Sequence, residues 1–563
     1  MVARGLPETL SKGHPMRETT GKAGSPAFWR PQLGSIAVSI LTALYLLALT
    51  NRSFWSKGWL YLDGRPTTFF SIAIGIACLY IALCVAVSLK YVMKPIFILL
   101  ILASAAGAWF MDRYGVIIDM EMIRNAAETN SAEAGHLITP GFVLHMLVYG
   151  VLPAALLLWV RVRHHTFFWK LRANLVVILP ALVIALVAGL SHARVYAATV
   201  RAHHDWFETL NPIVPLATAV QFAAGQSADR NVVAAPLGTD ARVSDGPVTG
   251  RKPRLMVVVA GETARAANFS LGGYGRETNP ELKTKDIFYF GDTTSCGTAT
   301  AVSLPCMFSV YTRADYSHRR GLETENLLDV LAHAGIAVEW WDNNTGSKKI
   351  AARVRERSLV EGGNPRDCSG GECRDQVLLD VLDAWIGSVK ADTVLVLHQI
   401  GSHGPSYWLR YPEAFRRFRP DCRSAEFSDC TREEIVNAYD NTIAYTDHIL
   451  AGVIDRLQKA EESLDVSMLY MSDHGESLGE FGLYLHGAPY MIAPGEQTHV
   501  PFVLWLGKDA KAAYSGACLD AETAKPQSHD TLFHTVLGMM RVETRVRDPA
   551  LDLLSACRRG AVS

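Results

Sequence analysis

The sequence lacks an excess of either charge. Its 54 lysines and arginines stand against 55 aspartates and glutamates, a formal net charge of −1, so no basic field indicates a nucleic acid partner. No C-x-x-C pair occurs, which excludes the usual tetrathiolate zinc pattern. Long apolar runs are almost absent after about residue 195. A chain of 563 residues is expected to hold two or more domains, and nearly all the long apolar runs fall in the first part.

Five apolar runs precede residue 195. A membrane-spanning helix needs about 20 mostly apolar residues, with a lower limit near 17. Three of the runs meet this alone, and the first and third meet it with their flanks. The runs are Gly34–Leu49, Phe69–Leu89, Pro95–Phe110, Phe142–Val160 and Leu175–Leu190. The first is not interpreted as a cleaved signal peptide, because its leader is long and LALTNRS offers no small-x-small site. The sequence therefore predicts five spans.

Lysine and arginine are concentrated on one side of these spans. They occupy the leader and the loops after the second and fourth spans, whereas the other two loops are mixed in sign. Because positive loops stay in the cytoplasm, the N-terminus is expected there and everything after about residue 192 outside it. The predicted division is a cytoplasmic segment 1–32, a transmembrane domain 33–192, an interfacial helix and linker 193–253, and an extracytoplasmic domain 254–563.

Eight cysteines lie beyond residue 290, in the part expected outside the cytoplasm. An even set in that environment indicates disulfides. The pairs closest in sequence are favoured, and the pairing of Cys518 with Cys557 is left open. The favoured pairs are Cys296–Cys306, Cys368–Cys373 and Cys422–Cys430.

Two segments connect the membrane part to the rest. Residues 193–224 mix charged and aromatic side chains and break at Asn211-Pro212, which favours an amphipathic helix on the membrane surface, with a plain connector as the alternative. Residues 225–253 are rich in Gly, Ala, Ser and Asp without periodicity, which predicts an exposed linker.

From residue 254 short apolar runs alternate with amphipathic helical stretches such as Glu323–Ala334, Gln376–Val389 and Arg432–Gln458. This alternation predicts an α/β domain with a mainly parallel sheet and helices on both faces. In such folds ligands gather beyond the carboxyl ends of the strands. The predicted strands are Leu255–Ala260, Ala337–Trp341, Thr393–Leu397, Val466–Met471 and Val500–Leu506.

Metal-ligand residue types follow these strands. Glu262 comes after the first, and Asp473 and His474 come directly after the fourth. Carboxylate and imidazole ligands suit zinc or manganese. A metal-activated hydroxyl in the nearby stretch SCGTATAVSLPC (295–306) can attack phosphorus. Thr298, at the expected start of a short helix, is the predicted nucleophile, and Thr300 is interpreted as structural.

Several motifs together resemble the lipid A phosphoethanolamine transferases, the family that includes the mobile colistin-resistance enzymes. They are GETARAANFSLGGYGRETNP (261–280), SCGTATAVSLPCMFS (295–309), WWDNNTGSKK (340–349), HQIGSHGPSY (398–407) and SDHGESLGEFGLYLHGAPY (472–490). The resemblance implies a five-helix membrane domain followed by a periplasmic domain of alkaline phosphatase/sulfatase-like fold. It also implies a monomer in the bacterial inner membrane.

The resemblance also assigns roles to residues. It makes Glu262, Thr298, Asp473 and His474 a Zn²⁺ site. His403 and His486 border that site, either as proton donors to the leaving alkoxide or as ligands of a second metal. Five residues match positions that hold the donor headgroup or phosphoethanolamine, and the first three, spaced by four, are expected on one helix face. They are Asn125, Thr129, Glu133, Asn344 and Lys348.

The implied reaction moves phosphoethanolamine from phosphatidylethanolamine to a phosphate of lipid A through a covalent threonine intermediate. Loss of negative charge on lipid A would weaken binding of cationic peptides such as polymyxin. Phosphoglycerol transfer, and transfer to core lipopolysaccharide or another glycan, stay open. A sulfatase is disfavoured because no Cys/Ser-x-Pro-x-Arg segment occurs. A tethered binding protein is disfavoured because the predicted ligand set is complete.

Overall fold

A computed structural model of the chain describes residues 30–559, except 130, 230–231, 247, 249 and 362–363. The predicted cytoplasmic leader, residues 1–29, lies outside the described residues. Within the described part, a mainly helical membrane half, in which Gln32–Gly34 and Arg161–Arg163 pair as two short parallel strands, is followed by an α/β domain.

The membrane half contains four helices long and apolar enough to cross a bilayer, and a bent pair that together makes a fifth. The pair is α1 and α2, which meet at 63°. The helices are α1 (Ser35–Leu49), α2 (Arg52–Tyr61), α3 (Pro66–Ala86), α4 (Met93–Tyr114), α5 (Met120–Glu128), α6 (Ser131–Leu137), α7 (Pro140–Trp159) and α8 (Phe167–Ser191). The five predicted runs are all found in these elements.

The loop between α4 and α7, called the membrane loop below, carries the two short helices α5 and α6. Gly115 ends α4 with a φ of 72°, a left-handed conformation that glycine adopts without strain. The side chain of Asp119 then accepts a hydrogen bond from the Met122 amide and caps α5. Thr129 is extended, with a ψ of 137°, and ends this helix. The predicted single helix face for Asn125, Thr129 and Glu133 is therefore wrong, because α5 stops before Glu133.

The segment after α8 forms α9 (Ala193–Ala202), α10 (Asp205–Glu208) and α11 (Ile213–Asp229). Its break at Asn211 lies against the helical bundle, and the predicted position of the segment on the membrane surface stays a prediction. Asn211 is fully buried, and its side-chain amide donates to the carbonyls of Thr50 and Ser104 at 3.0 and 2.7 Å. The connection is thus tied into the helical bundle.

An eight-stranded sheet forms the centre of the second half. Its strands are β1 (Arg254–Gly261), β2 (Ile287–Thr294), β3 (Ala337–Asp342), β4 (Arg355–Ser358), β5 (Thr393–His398), β6 (Asp465–Ser472), β7 (His499–Leu506) and β8 (Gln527–Ser528). Their order across the sheet is β8-β2-β7-β6-β1-β5-β3-β4. All five predicted strands are present, but β7 runs antiparallel to both of its neighbours. The sheet is therefore mixed.

Successive side chains of β1 face two different apolar layers, as the alternation of a strand requires. Leu255 and Val257 pack with one layer, Met256 and Val258 with the other. Helices cover both faces: α12 (Thr300–Met307), α13 (His318–Glu323), α14 (Leu327–His333), α15 (Gln376–Ile386), α16 (Arg432–Lys459), α17 (Gly495–Thr498), α18 (Lys508–Ala512), α19 (Gly516–Thr523) and α20 (Leu532–Met539). This two-sided burial explains why the strands have continuous apolar sequences.

Residues 232–246 are not a free linker as predicted. The Ala235 amide donates to the Glu323 carbonyl at 2.7 Å. Arg242 and Val243 pair as a short antiparallel ladder with Glu543 and Val542. The segment is therefore attached to the α/β domain by hydrogen bonds.

Four disulfides are present among the described residues. The first three have the pairing favoured from the sequence, and the fourth has the pairing that the sequence left open. They are Cys296–Cys306, Cys368–Cys373, Cys422–Cys430 and Cys518–Cys557. The two remaining cysteines, Cys78 and Cys84, lie in α3 and are free.

Candidate metal centre and active site

Strand register brings Glu262, Asp473 and His474 together. Parallel β1 and β6 align Gly261 with Ser472, so the residues that follow the two strands emerge side by side. One ligand atom from each of the three side chains lies within 4.8 Å of the others, and all three side chains are buried. The prediction that strand ends would assemble these groups is confirmed.

The three residues fit a divalent metal ion. His474 Nδ1 lies 2.9 Å from the Gly475 carbonyl, which fixes the ring and directs Nε2 toward the two carboxylates. Asp473 Oδ2 is buried and makes no hydrogen bond within the described part of the chain. A buried polar atom without a partner is costly, and a cation would supply that partner.

Electrostatics in the cluster also favour a positive charge. Burial lowers the pKa of His474, but the charges of Asp473 and Glu262 outweigh it and raise that pKa to about 10. Burial raises the pKa of Glu262, and the hydrogen bond and charge of His474 hold it well below its usual range. The cluster therefore retains a cation, whether a proton or a metal ion.

Thr300, rather than Thr298, reaches this cluster. Thr300 Oγ1 donates to the Glu262 carboxylate, at 3.1 and 3.0 Å from its two oxygens, and lies 3.2 Å from His474 Nε2. Thr298 Oγ1 instead donates to the Ala488 carbonyl at 2.7 Å. The cause is local: α12 begins at Thr300, so its first side chain projects toward the ends of β1 and β6. The geometry thus corrects the expectation that Thr300 is only structural.

Asn344 and Lys348 share a loop after β3 but have different partners. Asn344 Nδ2 donates to Glu262 Oε2 at 2.8 Å and to the Gln399 carbonyl at 2.9 Å. Its amide therefore orients a metal-type ligand. Lys348 Nζ lies 3.6 Å from Glu128 Oε2 on α5, so its ammonium reaches the membrane loop.

His403 lies where the membrane loop meets the catalytic domain. Its Nε2 is 3.1 Å from Glu133 Oε1 on α6. Burial lowers the pKa of His403, but the charge and hydrogen bond of Glu133 raise it to about 9. His486 Nδ1 lies 3.3 Å from Glu476 Oε2, and its ring centroid is 4.4 Å from that of His474. Among the described residues, no group of three metal-type ligands includes either His403 or His486.

Asn125 and Thr129 have a local structural contact. Thr129 Oγ1 donates to the Asn125 carbonyl at 2.8 Å, and this bond satisfies a carbonyl in the last turn of α5. Both side chains are partly buried. Their predicted contact with a lipid headgroup stays a prediction.

Two buried histidines that support the site were missed from the sequence. His398 Nδ1 lies 2.7 Å from Asp342 Oδ2. Both residues directly follow predicted strands, so their position at the end of the sheet could have been predicted from the sequence. His529 Nδ1 accepts from the Cys296 amide at 3.1 Å, and its Nε2 lies 2.9 Å from the Ser472 carbonyl. It thereby joins the disulfide loop to β6. No sequence signal pointed to His529, which lies far along the chain from both partners.

The fold and this centre define an alkaline phosphatase/sulfatase-like domain on a membrane anchor. The Sulfatase family model matches residues 254–542, and the family model described as phosphoethanolamine transferase EptA/EptB matches residues 76–227. The chain belongs to the phosphoethanolamine transferase EptA family.

Relatives cover nearly the whole chain. Phosphoethanolamine transferase EptA of Salmonella typhimurium is 38% identical, over 94% of this chain and 98% of its own length. Phosphatidylethanolamine transferase Mcr-1 of Escherichia coli is 34% identical, over 92% of this chain and 98% of its own length. The solved integral membrane lipooligosaccharide phosphoethanolamine transferase A of Neisseria meningitidis is 34% identical with a TM-score of 0.90, over 94% of this chain and 100% of its own. The present chain is accordingly a multi-pass inner-membrane protein with its catalytic domain in the periplasm.

Proposed function

We propose that this protein transfers phosphoethanolamine from phosphatidylethanolamine to a phosphate of lipid A, with Thr300 as the nucleophile. The observation that carries the proposal is the position of Thr300 Oγ1, within hydrogen-bond distance of both Glu262 and His474. The names of the relatives support the transferred group, and those of some, such as the Kdo(2)-lipid A phosphoethanolamine 7''-transferase of Escherichia coli, support a lipid A acceptor.

We assign Glu262, Asp473 and His474 as ligands of Zn²⁺, which their oxygen and imidazole donors suit. When bound, such an ion lowers the pKa of a hydroxyl and offsets the charge that develops on phosphorus oxygens. Asn344 holds the Glu262 carboxylate in place for this role. His403 and His486 flank the centre and are assigned to proton transfer.

The reaction is a double displacement. In the first step Thr300 Oγ1 forms a bond to the phosphorus of the donor, and the bond from phosphorus to the glycerol oxygen breaks. The proton of Thr300 is balanced by the proton that diacylglycerol gains. Glu262 is the nearest acceptor for the proton of Thr300. Protonated His403 is the candidate donor of the proton that diacylglycerol gains.

In the second step an oxygen of the acceptor phosphate attacks the same phosphorus. The bond to Thr300 Oγ1 breaks and the threonine regains its proton from Glu262, while the proton lost by the acceptor phosphate returns to His403. Phosphoethanolamine is then joined to the acceptor, and the enzyme is restored. Two successive displacements at one threonine predict ping-pong kinetics.

The test compares Thr300→Ala with Thr298→Ala. Mass spectrometry of lipid A from cells that express each variant should show the phosphoethanolamine increment for the wild type and Thr298→Ala. Thr300→Ala should lose it, since removing a nucleophile costs on the order of 1,000-fold or more. Equal membrane levels of the two variants are the control. Modification that persists in Thr300→Ala and vanishes in Thr298→Ala would return the role to Thr298.

Labelled donors distinguish this function from phosphoglycerol transfer. Label from the ethanolamine headgroup of phosphatidylethanolamine should be trapped on Thr300 in the absence of acceptor. Label trapped from phosphatidylglycerol instead would replace the proposed donor.

A further inference from the structure

A cavity of about 590 Å³ lies between the membrane loop and the catalytic domain. Its wall is formed by α5, the end of α11 and the residues just after it, α12, residues between 309 and 326, and residues between 345 and 353. Small-molecule sites typically have volumes of roughly 300–1,000 Å³. The cavity therefore has room for a sugar and a phosphate.

This cavity adjoins the active site without containing its proton-transfer residues. Ala301, the neighbour of Thr300 on α12, lines it, and so does Lys348, four residues after Asn344. Of the described residues, neither Glu133 nor His403 contributes to its wall. The cavity and the Glu133–His403 pair are thus separate features around one centre.

Each carboxylate on the cavity wall has a basic side chain within 4.0 Å. Glu128 lies 3.6 Å from Lys348, Asp229 3.6 Å from His318, and Glu325 2.8 Å from His333. Arg353, a further base on the wall, is held by Asp329 in two hydrogen bonds of 2.7 and 2.6 Å. Lys348 and Arg353 are thus each neutralised by a carboxylate, whereas Asp229 keeps its negative charge, because His318, with a pKa of about 4, is neutral at pH 7.

Two cations remain for a ligand. Arg124 on α5 and Lys349 on the loop after β3 both line the cavity, and no carboxylate of the described residues lies within 4.0 Å of either charge. Their field acts on His318 of the same wall. Burial first, and then the charges of Arg124 and Lys349, lower the pKa of His318 to about 4. Arg124 and Lys349 therefore act on the same part of the cavity wall, where the Asp229 carboxylate opposes them in its effect on His318.

We propose that this cavity binds the headgroup of the acceptor, a phosphorylated sugar, with Arg124 and Lys349 holding the phosphate that does not react. Guanidinium and ammonium groups bind phosphate oxygens through charge-assisted hydrogen bonds. The inference rests on the proposed function, because it names the residues that select the acceptor for the second displacement.

The acceptor fits the cavity better than the donor does. Phosphatidylethanolamine has one phosphate, which must lie at Thr300 in the first step, and its ammonium is not attracted by unpaired cations. Diphosphoryl lipid A presents one phosphate to the centre and still carries a second anion on its sugar. That second anion is the group for which Arg124 and Lys349 have no competing partner.

The test measures the two displacements separately on the full chain in detergent. Loading is followed as label from phosphatidylethanolamine trapped on the enzyme, and discharge as transfer of that label to diphosphoryl or monophosphoryl lipid A. Arg124→Glu and Lys349→Glu should leave loading within about twofold and slow discharge to subsaturating diphosphoryl lipid A by about tenfold or more, as expected for a lost charged hydrogen bond. Discharge to monophosphoryl lipid A should change little, and Arg124→Lys should recover most of the loss.

Lys508→Glu is the control variant with the same reversal of charge. Lys508 is exposed and follows the end of β7, at the edge of the sheet opposite to the active site. Discharge equal to the wild type in both variants would overturn the inference. A preference for diphosphoryl over monophosphoryl lipid A that persists in both variants would overturn it as well. The same holds if loading falls in parallel with discharge. A wild-type enzyme that takes up no label would instead reject the proposed function on which the inference rests.

Discussion

His403 is a buried histidine whose charge is set by a residue of the membrane half. Its pKa of about 9 results from Glu133, which overcomes the opposing effect of burial. Because this pKa lies above the value of about 6.5 for a free histidine, the pair stabilises the fold fully below about pH 6.5. That stabilisation is lost as the pH rises through about 9.

Removing the charge of Glu133 should move the alkaline limit of activity. If protonated His403 donates to the leaving alkoxide, kcat should fall as the pH rises through about 9 in the wild type. Glu133→Gln should shift this fall in kcat to lower pH, because burial then lowers the pKa of His403 without the opposing charge of Glu133. The measurement is the pH dependence of kcat. Glu121→Gln, on the same loop, is the control, and coincident profiles for Glu133→Gln and wild type would remove His403 from this role.

The three metal-type ligands were predictable at the residue scale, whereas the threonine that contacts them was not. Glu262, Asp473 and His474 follow strands that are legible as apolar runs, and adjacent parallel strands must bring their ends together. Thr298 and Thr300 are two residues apart at the point where a loop becomes a helix. Which hydroxyl reaches Glu262 depends on where α12 begins, and helix boundaries are the least certain part of any reading of sequence.

One loop of the active site is organised by the residue that precedes α15. Asp375 is buried and accepts hydrogen bonds from the amides of Ile400 and Gly401 at 2.9 and 3.0 Å. Gly401 has a φ of 49°, and a Cβ there would lie 2.5 Å from the Glu262 carbonyl oxygen. The loop therefore packs directly on the backbone of a metal-type ligand.

Replacing Asp375 should loosen this loop. Asp375→Ala leaves two buried amides unpaired, at a cost of about 1–3 kcal/mol each, so we expect a lower free energy of unfolding and lower activity. Thermal unfolding in detergent measures the first and lipid A modification the second. Asp380→Ala, an exposed position on α15, provides the comparison. Similar unfolding temperatures for the two variants would contradict this account.

Element types were more predictable than their directions and interruptions. The five predicted strands are apolar runs and all were found, but nothing in Val500–Leu506 distinguishes a parallel from an antiparallel strand. The spacing of Asn125, Thr129 and Glu133 fits a helix, yet Thr129 turns the chain out of it. Residue spacing alone does not reveal such a break, because tertiary contacts decide it.

At the scale of the whole molecule, Asn211 fixes the connection between the halves. Besides its side-chain bonds, its amide donates to Asn51 Oδ1 at 2.9 Å, and its carbonyl accepts from Tyr80 at 2.9 Å. Each such bond within a helical bundle contributes on the order of 1 kcal/mol. The periplasmic domain is thereby attached at a defined place on the bundle.

Asn211→Leu should weaken this attachment. The carbonyls of Thr50 and Ser104 lose their donor, so we expect a lower unfolding temperature, corresponding to about 1–3 kcal/mol. Thermal unfolding of the purified full chain is the measurement, and His204→Leu, at an exposed position of the same segment, is the control. An unchanged unfolding temperature in Asn211→Leu would show that other contacts hold the connection.

The contact of the membrane loop with the catalytic domain also restricts how this enzyme can diverge. The metal-type ligands belong to one domain, but Glu133 and Glu128 reach across to His403 and Lys348. Recombination that exchanges only one half between distant relatives would separate these partners, while leaving every ligand in place. We therefore expect the membrane loop and the catalytic domain to be inherited as a unit. Resistance to an inhibitor that binds the cavity between them is expected to arise in either half.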